Sequence, residues 1–149
     1  MLTDEMQALV QNFSAAAVAT VNEDGTPSVS PKATFVILDR QTLVFGNIRS
    51  PGTIRNLAHN PAIELCFTDI LARRAVRIKG TATVMPRGEA DPDIANAFEE
   101  YWAPYLENVR SFVKVSVSAA EMIVSPAYDI GLTEAELRAT NLAKLNAIK

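Results

Sequence analysis

Six strand-like segments follow one another between Ala15 and Val124, and most links between them are too short to carry the chain across a sheet. "AAAVATV" (15–21) is joined to the long "TPSVSPKATFVILD" (26–39) by Asn22-Glu23-Asp24-Gly25, a hairpin-turn composition. Only Arg40 separates that segment from "QTLVFGNI" (41–48), and four residues separate "AIELCFTDI" (62–70) from "AVRIKGTATVM" (75–85). In "RSFVKVSVSAAEMIV" (110–124), Val113, Val115 and Val117 alternate with Lys114, Ser116 and Ser118, as on a half-buried strand. A parallel neighbour needs a crossover of about a dozen residues, so these links dictate antiparallel pairing. Several segments exceed the usual strand length, as strands that bend around a closed sheet do. The expectation is a small, mainly β barrel with inserted helices rather than a βαβ sheet.

Pro27 and Pro31 refine that expectation. Proline cannot donate to a central ladder, so the first half of 26–39 must be an edge, a bulge or a bend. Helical spacing marks four further segments. Thr3 can cap a first helix carrying Leu2, Met6, Leu9, Val10 and Phe13 on one face. A short helix runs from Ser50 to about Asn60, and Asp91-Pro92 opens another that bears Ile94, Ala97, Phe98 and Tyr101 and stops near Pro104. Thr133 and Glu136 form a capping box for the last, whose apolar residues Leu137, Leu142, Leu145 and Ile148 are too sparse to stand without a docking surface.

The bulk numbers exclude several classes. With 149 residues, 48% hydrophobic and 21% charged, the chain can bury a core and suits a single domain. A net charge of −3 speaks against wholesale nucleic-acid binding. The lone Cys66 allows no intramolecular disulfide, and the lone His59 no multi-histidine metal site. No apolar run of about 18 residues and no signal-peptide pattern is present, so no membrane partner is expected and a cytoplasmic protein is.

Charge is nonetheless uneven. Between residues 40 and 80 stand Arg40, Arg49, Arg55, Arg73, Arg74, Arg77 and Lys79 against only Glu64 and Asp69. Ser50-Pro51-Gly52-Thr53 can be read as a plain helix cap or as an anion site. In the second reading Ser50 is the N-cap, Pro51 the first helical residue, and the amides of Gly52 and Thr53 are bare beside Arg49 and Arg55. Lys32, inside "SVSPKATF", is either an edge-strand lysine that blocks aggregation or an ammonium that meets a polar heterocycle. Together the two functional readings suit a mononucleotide-like cofactor with a ring at one end. An oligonucleotide-binding barrel ranks last, because Phe35, Phe45 and Phe67 sit in apolar settings that suggest core.

The succession "ATVNEDGTPSVSPKATFVILDRQTLVFGNIRSPGTIRNLAHNPAIELCF…RRAVRIKGTATV" resembles the pyridoxamine 5′-phosphate oxidase-related FMN-binding split-barrel family. The likeness covers about 5–124 of a single domain 1–149, leaving a C-terminal tail and helix at 125–149. It implies a six-stranded antiparallel Greek-key split β-barrel with flanking helices. It also implies a homodimer with one FMN in each of two clefts between subunits. Carried over by position, the isoalloxazine falls against Ser30, Pro31, Lys32 and Ala33. The phosphate falls on Ser50, Gly52 and Thr53, with Asn47 and Arg49 on the strand leading in. Many members carry a basic residue where Gly52 and Thr53 stand, so here Arg49, Arg55 or the Arg73-Arg74 pair must supply the charge.

The C-terminal Arg-x-His substrate motif of true pyridoxamine 5′-phosphate oxidases is absent, which argues against that reaction. The resemblance implies an FMN-dependent oxidoreductase acting on a small molecule, or a flavin-binding electron-transfer protein with no organic substrate of its own. FAD or a deazaflavin is not excluded by the residues. Lys32 is the candidate for tuning the flavin, and no general acid or nucleophile is nominated. Tyr128 covers the flavin or anchors the tail, while Trp102 and Tyr105 line the cleft or fill an interface.

Overall fold

Residues 26–39 do not run as one strand. In a computed structural model that describes residues 1–149, Pro27–Lys32 (β2) pairs antiparallel with Ala16–Val21 (β1). Phe35–Asp39 (β3) pairs instead with Thr42–Asn47 (β4). The break falls at Ala33-Thr34, so seven strands are counted where the resemblance implied six. The cause is visible in β2: Pro27 and Pro31 remove two ladder donors, and one side of the strand stays free.

Ala62–Asp69 (β5), Arg74–Pro86 (β6) and Ser111–Val124 (β7) complete an antiparallel sheet in the order β2-β1-β5-β6-β7-β4-β3. Its two end strands are consecutive in the chain, so the Ala33-Thr34 link lies where a closed barrel would carry a ladder. That arrangement is a split barrel.

Alternation sends Phe35, Leu43, Phe45, Leu65, Phe67, Ile78 and Val113 to one core. Phe35 meets Phe45 at 5.2 Å and Phe67 edge-on at 4.8 Å between ring centres. All three are buried, which removes them as base-stacking surfaces. Asp4–Asn12 (α1) adds Met6, Leu9 and Val10 to this core, Leu2 joins them from just ahead of the helix, and Thr3 caps the helix by accepting from the Met6 N–H at 3.2 Å. The opposite faces of β3, β4 and β7 present Val36, Val44 and Phe112 to Ile94 and Phe98 of Pro92–Trp102 (α3). Each fully buried phenylalanine is worth about 2–3 kcal/mol.

Two glycines set close approaches. A Cβ on Gly46 would lie 2.7 Å from Phe98 Cζ, and one on Gly80, where β6 shifts register against β7, 2.4 Å from the Ser116 carbonyl oxygen.

Glu134–Asn146 (α4) begins with the expected capping box. Its docking differs from expectation. Of the four apolar residues only Leu137 is buried, while Leu142, Leu145 and Ile148 stay exposed. Asn141 is buried beside Leu137 and donates to the Leu71 carbonyl at 2.8 Å. No helix is long and apolar enough to cross a membrane.

Candidate functional site

Pro51–His59 (α2) follows β4 after three residues, with Ser50 as N-cap and Pro51 at its first position. The Ser50 hydroxyl makes no capping hydrogen bond, and no acidic residue lies in the first turn. Asn56 fixes the helix by donating to Thr20 Oγ1 and Asn22 Oδ1, both at 3.0 Å. The start of α2 therefore faces outward with its first amides unclaimed by side chains. In front of Gly52 the nearest atom to an added Cβ is Arg55 Nη2 at 3.9 Å, so there is room for a ligand to approach the backbone. Thr53 is buried against the same end.

A depression of about 340 Å³ opens there, lined by Asn47, Arg49, Ser50, Ile54, Arg55 and Arg110 among others. The arginines of this pocket are unlike the rest. Arg40, Arg74, Arg77 and Arg138 pair with carboxylates, Arg73 donates to Asn141, and Arg87 to the Glu107 carbonyl. Arg49, Arg55 and Arg110 have no side-chain hydrogen bond or ion pair, and all three line the one pocket.

Asn47 adds an independent sign. It is 8% exposed, its Nδ2 donates to Ser111 Oγ at 2.9 Å, and its Oδ1 has no partner. Such a buried orphan costs about 1–3 kcal/mol. A ligand donor relieves it, or a 180° turn of the amide gives Oδ1 to the Ser111 hydroxyl and the N–H donors to an anion.

The β2–β3 break adjoins this corner. Gly46 N–H donates to the Thr34 carbonyl and the Thr34 hydroxyl to the Gly46 carbonyl, both at 3.2 Å. Residues 30–33 thus end beside the strand that leads to α2. Lys32 donates to Ser30 Oγ at 2.9 Å and has no carboxylate partner. It is half-buried, and burial pushes its ammonium below the ordinary lysine value. Ser30 is half-buried with it, whereas Pro31 and Ala33 are exposed.

Of the residues nominated from sequence, Asn47, Arg49, Ser50 and Arg55 line the pocket; Gly52 and Thr53 lie in the first turn behind it. Arg74 lies elsewhere, at the start of β6 against Glu5 of α1. Tyr128 donates its hydroxyl to the Ala72 carbonyl at 2.6 Å and so anchors the tail. Trp102 donates to the Phe35 carbonyl at 2.9 Å and, with Tyr101 and Val10, lines an apolar cleft of about 210 Å³ along β3. Sequence reasoning missed Arg110. Its only signal is the pairing of Asn47 with Ser111, which brings the start of β7 beside the end of β4.

Comparison with known proteins gives a consistent picture. The family model for pyridoxamine 5′-phosphate oxidase matches residues 2–127. A pyridoxine/pyridoxamine 5′-phosphate oxidase of Anaeromyxobacter dehalogenans is 36% identical over 77 residues, 52% of this chain and 38% of that protein. The chain thus spans about two-fifths of the length of the curated relatives it matches. The structure of HupZ from Group A Streptococcus superposes with a TM-score of 0.71 at 26% identity, over 84% of this chain and 96% of that one. A Lactobacillus delbrueckii protein provisionally named a pyridoxamine 5′-phosphate oxidase gives 0.66 at 26% identity, over 80% and 93%.

Proposed function

Because the chain belongs to the pyridoxamine 5′-phosphate oxidase family, we propose that it is an FMN-dependent oxidoreductase acting on a small molecule, as a homodimer with flavin between the subunits. One observation carries this reading: unpaired arginines and an unpartnered buried amide converge on the start of α2, beside the break that ends the 30–33 segment. The donor set fits a flavin phosphate. Bare amides of Gly52 and Thr53, the free Ser50 hydroxyl and the guanidiniums of Arg49 and Arg55 would hold the anion together with the helix dipole.

When bound, FMN would supply hydride or single-electron transfer at N5. The chain's own residues would orient and tune the ring. Lys32, positioned through Ser30, would face its polar edge, while Pro31 and Ala33 present backbone and apolar surface to it. The aromatic cleft along β3, about 210 Å³ beside Tyr101 and Trp102, would offer room for a small organic substrate.

The test is direct. Purified protein should carry or take up a yellow chromophore whose released mass is that of FMN. Steady-state assays with NADH or NADPH and organic acceptors should then show turnover. Flavin binding with no turnover supports an electron carrier; failure to bind any flavin overturns both.

A further inference from the structure

We propose that the free edge of β3 at Ile37 binds a small, uncharged, planar ring that carries an N–H and a C=O side by side, as lactams and cyclic imides do. That the ring bound there is the substrate rests on the flavin reading above; the site itself does not.

The site emerges from the backbone partners along an edge strand. β3 ends the sheet and pairs with β4 on one side only. Gly46 N–H donates to the Thr34 carbonyl at 3.2 Å, which makes Thr34 and Gly46 a bonded pair. Antiparallel pairs alternate between bonded and non-bonded. Val36 opposite Val44 is therefore the next bonded pair, and Phe35 and Ile37 turn their N–H and C=O away from β4. At Phe35 the protein closes both groups itself. The carbonyl accepts from Trp102 Nε1 at 2.9 Å, and the N–H donates to the Ala33 carbonyl at 3.0 Å. Ile37 has no such closure: no side chain and no loop group meets its N–H or its carbonyl, although the residue is half-buried. Past it the register shifts between Ile37 and Asp39, so the regular edge ends there. One donor and one acceptor, both from Ile37, are left open.

What surrounds this pair sets the class of ligand. Ile37 lines the cleft of about 210 Å³ whose other walls include Val10, Val36, Tyr101 and Trp102. The hydrogen bond to Phe35 holds the Trp102 indole in one orientation, a fixed flat surface for a ring. No charged side chain lines the cleft, so an ion would lose hydration there without a counter-charge. A cis-amide matches the open pair. Its C=O accepts from the Ile37 N–H while its N–H donates to the Ile37 carbonyl, and both backbone groups are satisfied together. An added β-strand would need further open pairs beside Ile37, and Trp102 already holds the Phe35 carbonyl. The volume lies below the roughly 300–1,000 Å³ of sites for drug-sized ligands, which limits the ligand to one or two rings. Residues 30–33, which the flavin reading sets against the isoalloxazine, precede Ile37 in the same segment, and that is why this reading makes the ring a substrate.

The probes are 2-quinolone, a planar lactam, and N-methyl-2-quinolone, which keeps the carbonyl and loses the N–H. Backbone amide and indole N–H resonances of the full chain are followed with each, with and without FMN. 2-Quinolone should move the Ile37 amide and Trp102 indole resonances and leave those at the start of α2 in place. N-methyl-2-quinolone should bind about ten-fold more weakly. Ile37→Pro removes an N–H that faces the free edge, as Pro27 and Pro31 do in β2, and should lose as much affinity for 2-quinolone. The proposal is overturned if the Ile37 and Trp102 resonances ignore 2-quinolone, or if the two compounds bind alike. It is equally overturned if an extended valine peptide binds the Ile37 edge more tightly than 2-quinolone, or if FMN displaces 2-quinolone from it. A protein that takes up no flavin yet binds 2-quinolone at Ile37 overturns the flavin reading and upholds this site. The comparison of the two compounds uses wild type alone and needs no variant to fold.

Discussion

Lys32 combines half-burial with the absence of any carboxylate partner, and both have consequences for its proton. Burial disfavours the charged form, so the folded value lies below the unfolded one, about 10.4. Between those two values the unfolded chain binds more protons, and stability therefore rises with pH across that window. An anionic or electron-rich ring edge beside Lys32 acts in the opposite sense. The Lys32 pKa, followed by NMR, should rise when FMN is added, and Lys32→Ala should lower the midpoint potential of the bound flavin. A pKa and a potential that both stay put would remove Lys32 from the ring's edge. Gly46 gives a second residue-scale prediction. A methyl group there would meet Phe98 at 2.7 Å and Val109 at 3.1 Å, so Gly46→Ala should destabilise by about 1–3 kcal/mol in urea unfolding. Ser50, Pro51, Thr133 and Glu136 were legible in the sequence because capping is a local rule. Gly46 and Arg110 were not, because Phe98, which crowds Gly46, and Asn47, which Arg110 adjoins, each lie more than fifty residues away.

Elements were legible as periodicity and illegible as partnership. The 26–39 segment read as one long strand, and its prolines announced a disturbance, but nothing local said that the two halves would join opposite ends of the sheet. Helix α4 teaches the same lesson. Its capping box was readable, yet a leucine stripe suggested apolar docking where the structure uses polar anchors. The buried Asp69 carboxylate accepts from the Leu71 and Ala72 N–H groups at 3.0 Å each and from Arg138 at 2.7 Å. Its side chain is 4% exposed and that of Arg138 is 42% exposed. Arg138→Ala leaves Asp69 its two amides and removes a screened pair, so it should cost about 1 kcal/mol. Asp69→Ala strips the turn and the helix anchor together and should cost about 2–4 kcal/mol. Thermal unfolding ranks the two, and hydrogen exchange should show α4 released in Asp69→Ala with the barrel amides still protected. Equal losses would mean that the ion pair, not the turn, holds the helix.

At the scale of the whole molecule, the barrel was legible from link lengths, while the relation between two chains was not, since no intrachain pattern encodes it. The free side of β2, the exposed Val29 at 69% and the exposed rings of Tyr101 and Tyr105 all lie on surfaces that a single chain leaves uncovered. A stable dimer buries about 800 Å² per partner, roughly a tenth of the 8712 Å² exposed by this chain. If the flavin sits between subunits, it binds the dimer and not the monomer, and mass action then couples the two equilibria. Sedimentation velocity over a dilution series should show the monomer–dimer midpoint moving to lower protein concentration when FMN is added. In the same series the apparent affinity for FMN should strengthen as protein concentration rises through that midpoint. Riboflavin, lacking the phosphate, should produce a smaller shift in both. Were FMN to bind a monomer with an affinity independent of protein concentration, the arginine pocket and the ring surface would have to be completed within one chain, and the intersubunit placement would fall while the anion site stood.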